Sequence, residues 1–289
     1  MPTINLMTEA QDKIVKRFKL ASVTEGIFST DYSWNGVKAI DVYTLDAITL
    51  GTYDRTNVSS SRFGTMVELG DTKQTLTVTQ EKGFEVSVDA GNAIQQKHIK
   101  KAAEITRSVL EDSYIPTVDA YRLDTLAINA GIRKVSQASL TAANIVEKIM
   151  LGRAAMGNNK VPMGNDVVYI GETDAVYLKI ANQVVGIDTV GAKPLVNGVI
   201  GKIGGCQVRV VPDSYMPTNV AFMIVHKGCA WAPEQLRTLR VLDDHPFVDG
   251  IVVQGHFIYD CFVNSTLNKG IYVYATGATI GSTGATGET

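Results

Sequence analysis

The sequence is short of charge, and the charge it has is nearly balanced. Asp, Glu, Lys and Arg make up 19% of its residues and the net charge is −2. A domain that grips DNA through many phosphate contacts shows a Lys/Arg excess or stripe. Any contact with DNA is therefore expected to be loose and non-specific. Cysteine is equally scarce: Cys206, Cys229 and Cys261 are odd in number and far apart, with no C-x-x-C and no Cys/His cluster. That spacing offers neither a disulfide framework nor a zinc site, and leaves buried free thiols in a reducing cytoplasm. Long apolar runs are missing too. Nothing approaches the ~20 apolar residues of a membrane span. Lys13, Lys16, Arg17 and Lys19 stand where a secretory signal would carry its apolar stretch. The expectation is a chain folded in the cytoplasm with no membrane partner.

Chemistry-bearing motifs are also thin. Of the four histidines, His98, His226, His245 and His256, only His245 sits in a dense ionisable group, Asp243-Asp244-His245. A turn before Pro246 accounts for that group without a metal. There is no G-x-S-x-G and no H-E-x-x-H, and no serine has an evident base partner. The glycines from Gly198 through Gly201 to Gly204-Gly205 look like a phosphate loop, but no Gly-Lys-Ser/Thr ends them. They also lead into a strand, Gln207–Val211, whereas a phosphate cradle opens a helix. A hairpin is the better expectation there. No catalytic residue, metal or cofactor is assigned.

What is present is a folding composition, 45% hydrophobic over 289 residues. The first 30 residues carry only weak helical periodicity. From Ala39 to Asp89 the period is two: Leu76 and Val78 alternate with threonines, and Phe84, Val86 and Val88 alternate with Glu85, Ser87 and Asp89. Gly70-Asp71-Thr72-Lys73 reads as a turn joining Thr65–Leu69 to the Leu76 strand. Tyr53 to Phe63 is polar, and a two-stranded ribbon with few large apolar residues is marginal alone. Asp89 and Asn92 can cap a helix over Ala93–Tyr114, broken or restarted by Pro116, with a second helical piece over Thr117–Asn129. Thr141 and Thr173 can cap two further helices. Short strands at Val167–Ile170, Gln207–Val211 and Ala221–Val225, a long one at Ile251–Val263 and a closing one at Ile271–Tyr274 alternate with them. That order predicts a central sheet flanked by helices. Three Gly-x-Thr triplets end the chain in a flexible tail.

Glu81-Lys82-Gly83-Phe84-Glu85-Val86-Ser87-Val88-Asp89, then the helix, then Ile115-Pro116-Thr117-Val118-Asp119-Ala120-Tyr121-Arg122, resembles a pattern in capsid proteins of phages that infect Gram-positive bacteria. Lys82 stands for that pattern's arginine and Thr117 for its glutamate. Val210-Val211-Pro212-Asp213, His226-Lys227-Gly228-Cys229-Ala230 and Gly250–Val273 are similar to the closing section of the same family. The family is the major capsid proteins of tailed bacteriophages with the Hong Kong 97 type fold. The resemblance implies an α+β fold: an N-terminal arm and lead-in (1–40), an extended β-ribbon loop (41–92), a spine helix with peripheral domain (93–132) and an axial α/β domain (133–238). A peripheral long strand (239–262), a closing axial strand (263–275) and the tail (276–289) complete it. It implies self-assembly into hexamers and pentamers of an icosahedral head around double-stranded DNA. The expected partners are a portal and either a separate scaffolding protein or none. Tyr53, Arg55, Arg62, Phe63 and Lys73 are the expected subunit-interface residues. The rivals are an encapsulin-type shell with the same fold, a tail-tube or decoration protein, and a cytoplasmic α/β enzyme binding nucleotide at Gly198–Gly205.

Overall fold

The computed structural model describes residues 21–32, 38–56, 61–64, 66–90, 102–136, 139–181, 185–186, 199–243, 246–247, 249–277 and 279–280. The expected arm before residue 21, the start of the spine helix with His98, Gly198, Asp244-His245 and the tail from 281 lie outside them.

The two most apolar strands set the centre. β5 (Asp166–Gly171) and β9 (Val220–His226) are runs of β-branched and aromatic residues, the signature of strands covered on both faces. They pair antiparallel with Val168 opposite Ile224. A seven-stranded mixed sheet forms around them in the order β4 (Ile132–Val135), β14 (Ile271–Ala275), β9, β5, β8 (Cys206–Val211), β7 (Val199–Ile203), β6 (Val185–Gly186). Alternation along each strand splits the core in two. Val167, Tyr169, Met223, Val225 and Val273 face one side, packed on Leu123, Leu126 and Ala127 of helix α2 (Ile115–Ile128). Val168, Ile170, Phe222, Ile224 and Tyr274 face the other, under Ile145, Ile149 and Met156 of α3 (Ile145–Asn158) and Leu178 of α4 (Glu172–Ile180).

The segment from Ser22 to Ser29 straps the first side. Asp119 on α2 accepts from the Val23 N–H at 2.9 Å and from the Ser22 and Thr24 hydroxyls at 2.8 and 2.5 Å. Arg209 on β8 donates to the carbonyls of Val23 and Glu25 at 2.7 and 2.8 Å. Buried backbone needs such partners, and here two distant elements supply them. The strap buries Val23 and Ile27 as its reward in apolar contact.

A smaller antiparallel sheet, β11 (Glu234–Leu242), β12 (Gly250–Tyr259) and β3 (Gln80–Asp89), lies beside the first. Phe84, Val86 and Val88 turn inward between exposed partners as their period requires. Gly255 is needed opposite Phe84, whose ring lies 2.1 Å from where a Cβ would stand. Phe84, Phe257, Tyr114 and Tyr259 form an aromatic stack over this sheet.

Five local expectations need correction. Pro116 does not break the helix. Helix α1 (Ala102–Val109) continues through a π-helical turn, Leu110–Tyr114, directly into α2. The wider i→i+5 turn gives the proline ring room against the preceding carbonyls, and Pro116 sits in the first turn of α2, where an N–H is dispensable. The long strand stops at Tyr259; Asp260 and Cys261 interrupt it, and Phe262–Val263 (β13) pairs instead with Ala230–Trp231 (β10). Gly70–Lys73 is not a turn between neighbouring strands, because Asp71 already belongs to β2 (Asp71–Thr77), whose partner is β1 (Ala39–Leu45). Finally, Asn144 rather than Thr141 stands at the N-cap of α3. Thr173 lies inside the first turn of α4, where its N–H and hydroxyl are held by the carboxylate of Asp213.

Candidate assembly surface

The ribbon of β1 and β2 has a buried base, a polar stem and an apolar loop. At the base Val42, Leu76, Val78 and Trp231 form a small core with Ile40, Ile258 and Phe262 at its edge. Along the stem Lys73 reaches Asp41 at 2.7 Å, and the Thr75 hydroxyl donates to the same carboxylate at 2.6 Å. The hydrogen bond from Lys73 holds the Asp41 carboxyl below its ordinary range. The stem closes where the Asp46 N–H meets the Gly70 carbonyl at 3.0 Å.

Beyond that point the chain runs out into a loop that lacks a core of its own. Leu50 is 94% exposed, Phe63 81%, Met66 95% and Val67 81%. Monomeric proteins seldom expose large apolar side chains so densely, and such clusters mark contact surfaces. The loop still has local order. The Asp54 N–H donates to the Arg62 carbonyl at 3.0 Å, and the rings of Tyr53 and Phe63 meet edge-on, 5.0 Å apart. Thr56 donates twice to the Asp54 carboxylate, at 2.8 and 2.6 Å.

The structure therefore brings Tyr53, Arg62 and Phe63 together at the tip, with Arg55 exposed beside them. Lys73 lies apart on the stem, its ammonium 6.0 Å from the Tyr43 ring centre. Sequence reasoning called Tyr53 to Phe63 polar and read Thr65–Leu69 as a segment leading through a turn to the Leu76 strand. Residues 66–70 form no strand, and Ile48, Leu50, Met66, Val67 and Leu69, which it did not single out as contact residues, are all exposed. The available signal was their lack of any period: apolar residues that fit neither a helix face nor a strand face.

A second apolar feature is an open groove of about 780 Å³ between the helix and the small sheet. Leu110, Tyr114 and Ile115 form one wall and Leu239 and Val241 the other. An Arg107–Glu111 ion pair of 2.6 Å stands at its rim.

The glycine segment makes no phosphate cradle. Gly204 and Gly205, at φ 55° and 87°, form the tight turn of the β7–β8 hairpin, which needs positive φ at both positions. No helix begins there, so the nucleotide-binding alternative has no geometric footing. The acidic Asp166, buried at the end of β5, is held by Arg153 at 2.6 Å and by His226 Nδ1 at 2.7 Å. Among the described residues no group of three His, Cys, Asp or Glu side chains is placed to hold a metal ion. Burial pushes the thiols of Cys206 and Cys229 up to about 11 and that of Cys261 to about 12.

No protein-family model and no curated protein sequence matches the chain. Solved structures do. A chain of Mycobacterium phage Che8 superimposes with a TM-score of 0.75 at 19% identity, covering 94% of this chain and 98% of that one. A chain from the capsid structure of cyanophage P-SCSP1u gives 0.70 at 11% identity, over 93% and 92%. One from the mature capsid asymmetric unit of bacteriophage PhiM1 gives 0.68 at 12% identity, over 94% and 92%. This is a phage-capsid fold. It is shared along nearly the full length of both partners in each comparison.

Proposed function

We propose that the chain is a structural virion protein, the repeating shell subunit of a tailed-phage head, with no catalytic chemistry of its own. In this reading it is made in the host cytoplasm and assembles into hexamers and pentamers of an icosahedral shell of the Hong Kong 97 type. Residues 41–92 act as the extended loop, the helix ending at Ile128 as the spine, the small sheet as the peripheral domain and the seven-stranded sheet as the axial domain. The portal and any scaffold are its protein partners, and packaged DNA touches it loosely, in keeping with a net charge of −2.

The observation that carries this reading is the apolar loop on its polar stem, in a chain with a phage-capsid fold. Among the described residues Leu50, Met66 and Val67 stay almost fully exposed and Phe63 meets only the Tyr53 ring, and in this reading a neighbouring copy covers them. Each side chain gains about 1.5–3 kcal/mol when fully buried. Across the ~1,600 Å² of a standard interface such anchors supply much of the holding energy. One subunit serving both five- and six-fold positions needs contacts that tolerate small rotations, and a loop on a two-stranded stem can tilt while its anchors stay seated.

Negative-stain microscopy of the expressed chain, alone or with the products of its neighbouring genes, tests the proposal. Closed shells or capsomers are expected. Replacing Leu50, Phe63, Met66 and Val67 by serine should leave circular dichroism and melting unchanged and abolish particles. A chain that stays monomeric at high concentration with those genes present, or a serine variant that assembles normally, would end this reading.

A further inference from the structure

The ribbon leaves the body of the protein at a branch point. Thr79 stands between β2, which belongs to the ribbon, and β3, which belongs to the small sheet. Asp260 stands at the matching break on the other chain segment, between β12 of the small sheet and β13, which pairs with β10. These two breaks are bridged by one buried carboxylate. Asp260 Oδ2 accepts from the Thr79 N–H at 2.8 Å and from the Thr79 hydroxyl at 3.1 Å. Its Oδ1 accepts from the Tyr121 hydroxyl at 2.8 Å and from the Cys261 N–H at 2.8 Å. Tyr121 belongs to α2, so a single side chain joins the ribbon, the small sheet and the helix that packs on the large sheet.

We propose that Asp260 is the latch that sets the direction of the ribbon relative to the body. The inference rests on the ribbon being a contact arm. It adds the residue that decides where that arm points. The chemistry favours this role over simple packing. Asp260 is only 3% exposed, and both its oxygens are taken up by donors from Thr79, Tyr121 and Cys261. Two of the four donors are backbone N–H groups that cannot turn away. A carboxylate satisfies all four from either oxygen, whereas an amide cannot. In Asp260→Asn the NH2 must face either the Thr79 N–H or the Cys261 N–H, donor against donor. One buried donor is then always left without its acceptor. The stem itself does not depend on the latch, because β1 and β2 pair along their whole length and close on Val42, Leu76, Val78 and Trp231. The ribbon also rests on the body through Trp231, Ile258 and Phe262 at its base and through Gln74, which donates to the Val263 carbonyl at 3.3 Å and accepts from the Ser265 N–H at 3.2 Å. Loosening Asp260 therefore lets the ribbon tilt about that base and leaves it paired.

Hydrogen exchange of the full chain, followed by mass spectrometry or NMR, tests this without requiring any assembly. In Asp260→Asn whichever amide is left facing the NH2, that of Thr79 or that of Cys261, should exchange roughly tenfold faster or more, as expected for one lost buried hydrogen bond. The β1–β2 amides and those of β5 and β9 should keep their wild-type protection. The pair Tyr121→Phe and Thr79→Val removes only the side-chain donors and serves if the asparagine variant fails to fold. It should speed exchange at the same two amides by a smaller factor. Unchanged exchange at Thr79 and Cys261, or loss of protection spread through β1 and β2, would overturn the latch. In particles, the variants should give a broader spread of diameters than the wild type, and uniform wild-type diameters would equally count against it. If the wild-type chain forms no particles at all, the shell reading fails while the exchange comparison still decides the latch.

Discussion

Asp166 shows how costly a single buried position can be. Its carboxylate is shared between Arg153 and His226, all of them nearly enclosed under α3. Arg153 also donates to the carbonyls of Val161 and Pro162, at 3.2 and 2.8 Å. Arg153→Met strips the carboxylate of its strongest partner in a site that water cannot fill. Chemical denaturation should show a loss of about 3–5 kcal/mol. Lys73 and Asp41 make the opposite case, since both are well exposed and water screens them. The folded Asp41 carboxyl titrates below its unfolded value, so the pair's contribution is present above the ordinary carboxylate pKa and fades as pH falls through the lowered one. Lys73→Met should move the Asp41 titration, followed by NMR, upward toward its ordinary range, with the Thr75 hydroxyl still holding it down in part, and with little change in melting. The three cysteines carry raised pKa values because burial disfavours the thiolate. At pH 8 they remain thiols, so a maleimide or disulfide reagent should label them only on unfolding.

At the scale of elements, close approach of α3 to the sheet is the feature most open to test. Gly152 faces the ring of Tyr272, which lies 2.7 Å from where a Cβ would stand, with Ile224 at 3.1 Å. Gly152→Ala should push the helix off the strands and cost about 1–3 kcal/mol. Which elements could be read from the sequence follows from the same physics. The strands at Val167–Ile170, Gln207–Val211 and Ala221–Val225 were legible because burial on both faces leaves a short unbroken apolar run. The alternation of Phe84, Val86 and Val88 was legible because one side of β3 is exposed. What escaped was set from a distance. The carboxylate that takes the Thr173 N–H in the first turn of α4 is that of Asp213, far along the chain, and no local pattern reports it. The π turn that carries the helix past Pro116 depends on packing against β11 and β12, where Tyr114 meets Phe257. The exposed apolar residues of the loop escaped because they follow neither the helix nor the strand period, and because serines and threonines dominate the stretch among them.

For the whole molecule, one chain segment is out of order in a telling way. β14 lies between β4 and β9 in the seven-stranded sheet, parallel to the first and antiparallel to the second. Val273 and Ala275 fill one half of the core and Tyr272 and Tyr274 the other. It is also the last strand in chain order among the described residues. A ribosome adds roughly 5–20 residues per second, and until Ile271 to Ala275 have left the exit tunnel β4 has no neighbour to pair with. The strap from Ser22 waits in the same way for Arg209 and for Ala230, whose carbonyl takes the Ser29 N–H at 2.9 Å. The large unit can therefore close only after translation of nearly all of it, in a single late step. A nascent chain stalled just before Ile271 should remain protease-sensitive throughout the large sheet, and one released after Ala275 should become resistant at once. The expected consequence is a short life for any product terminated before Ile271: it lacks the strand that fills both halves of the core and should be degraded faster than the full chain in a pulse-chase experiment.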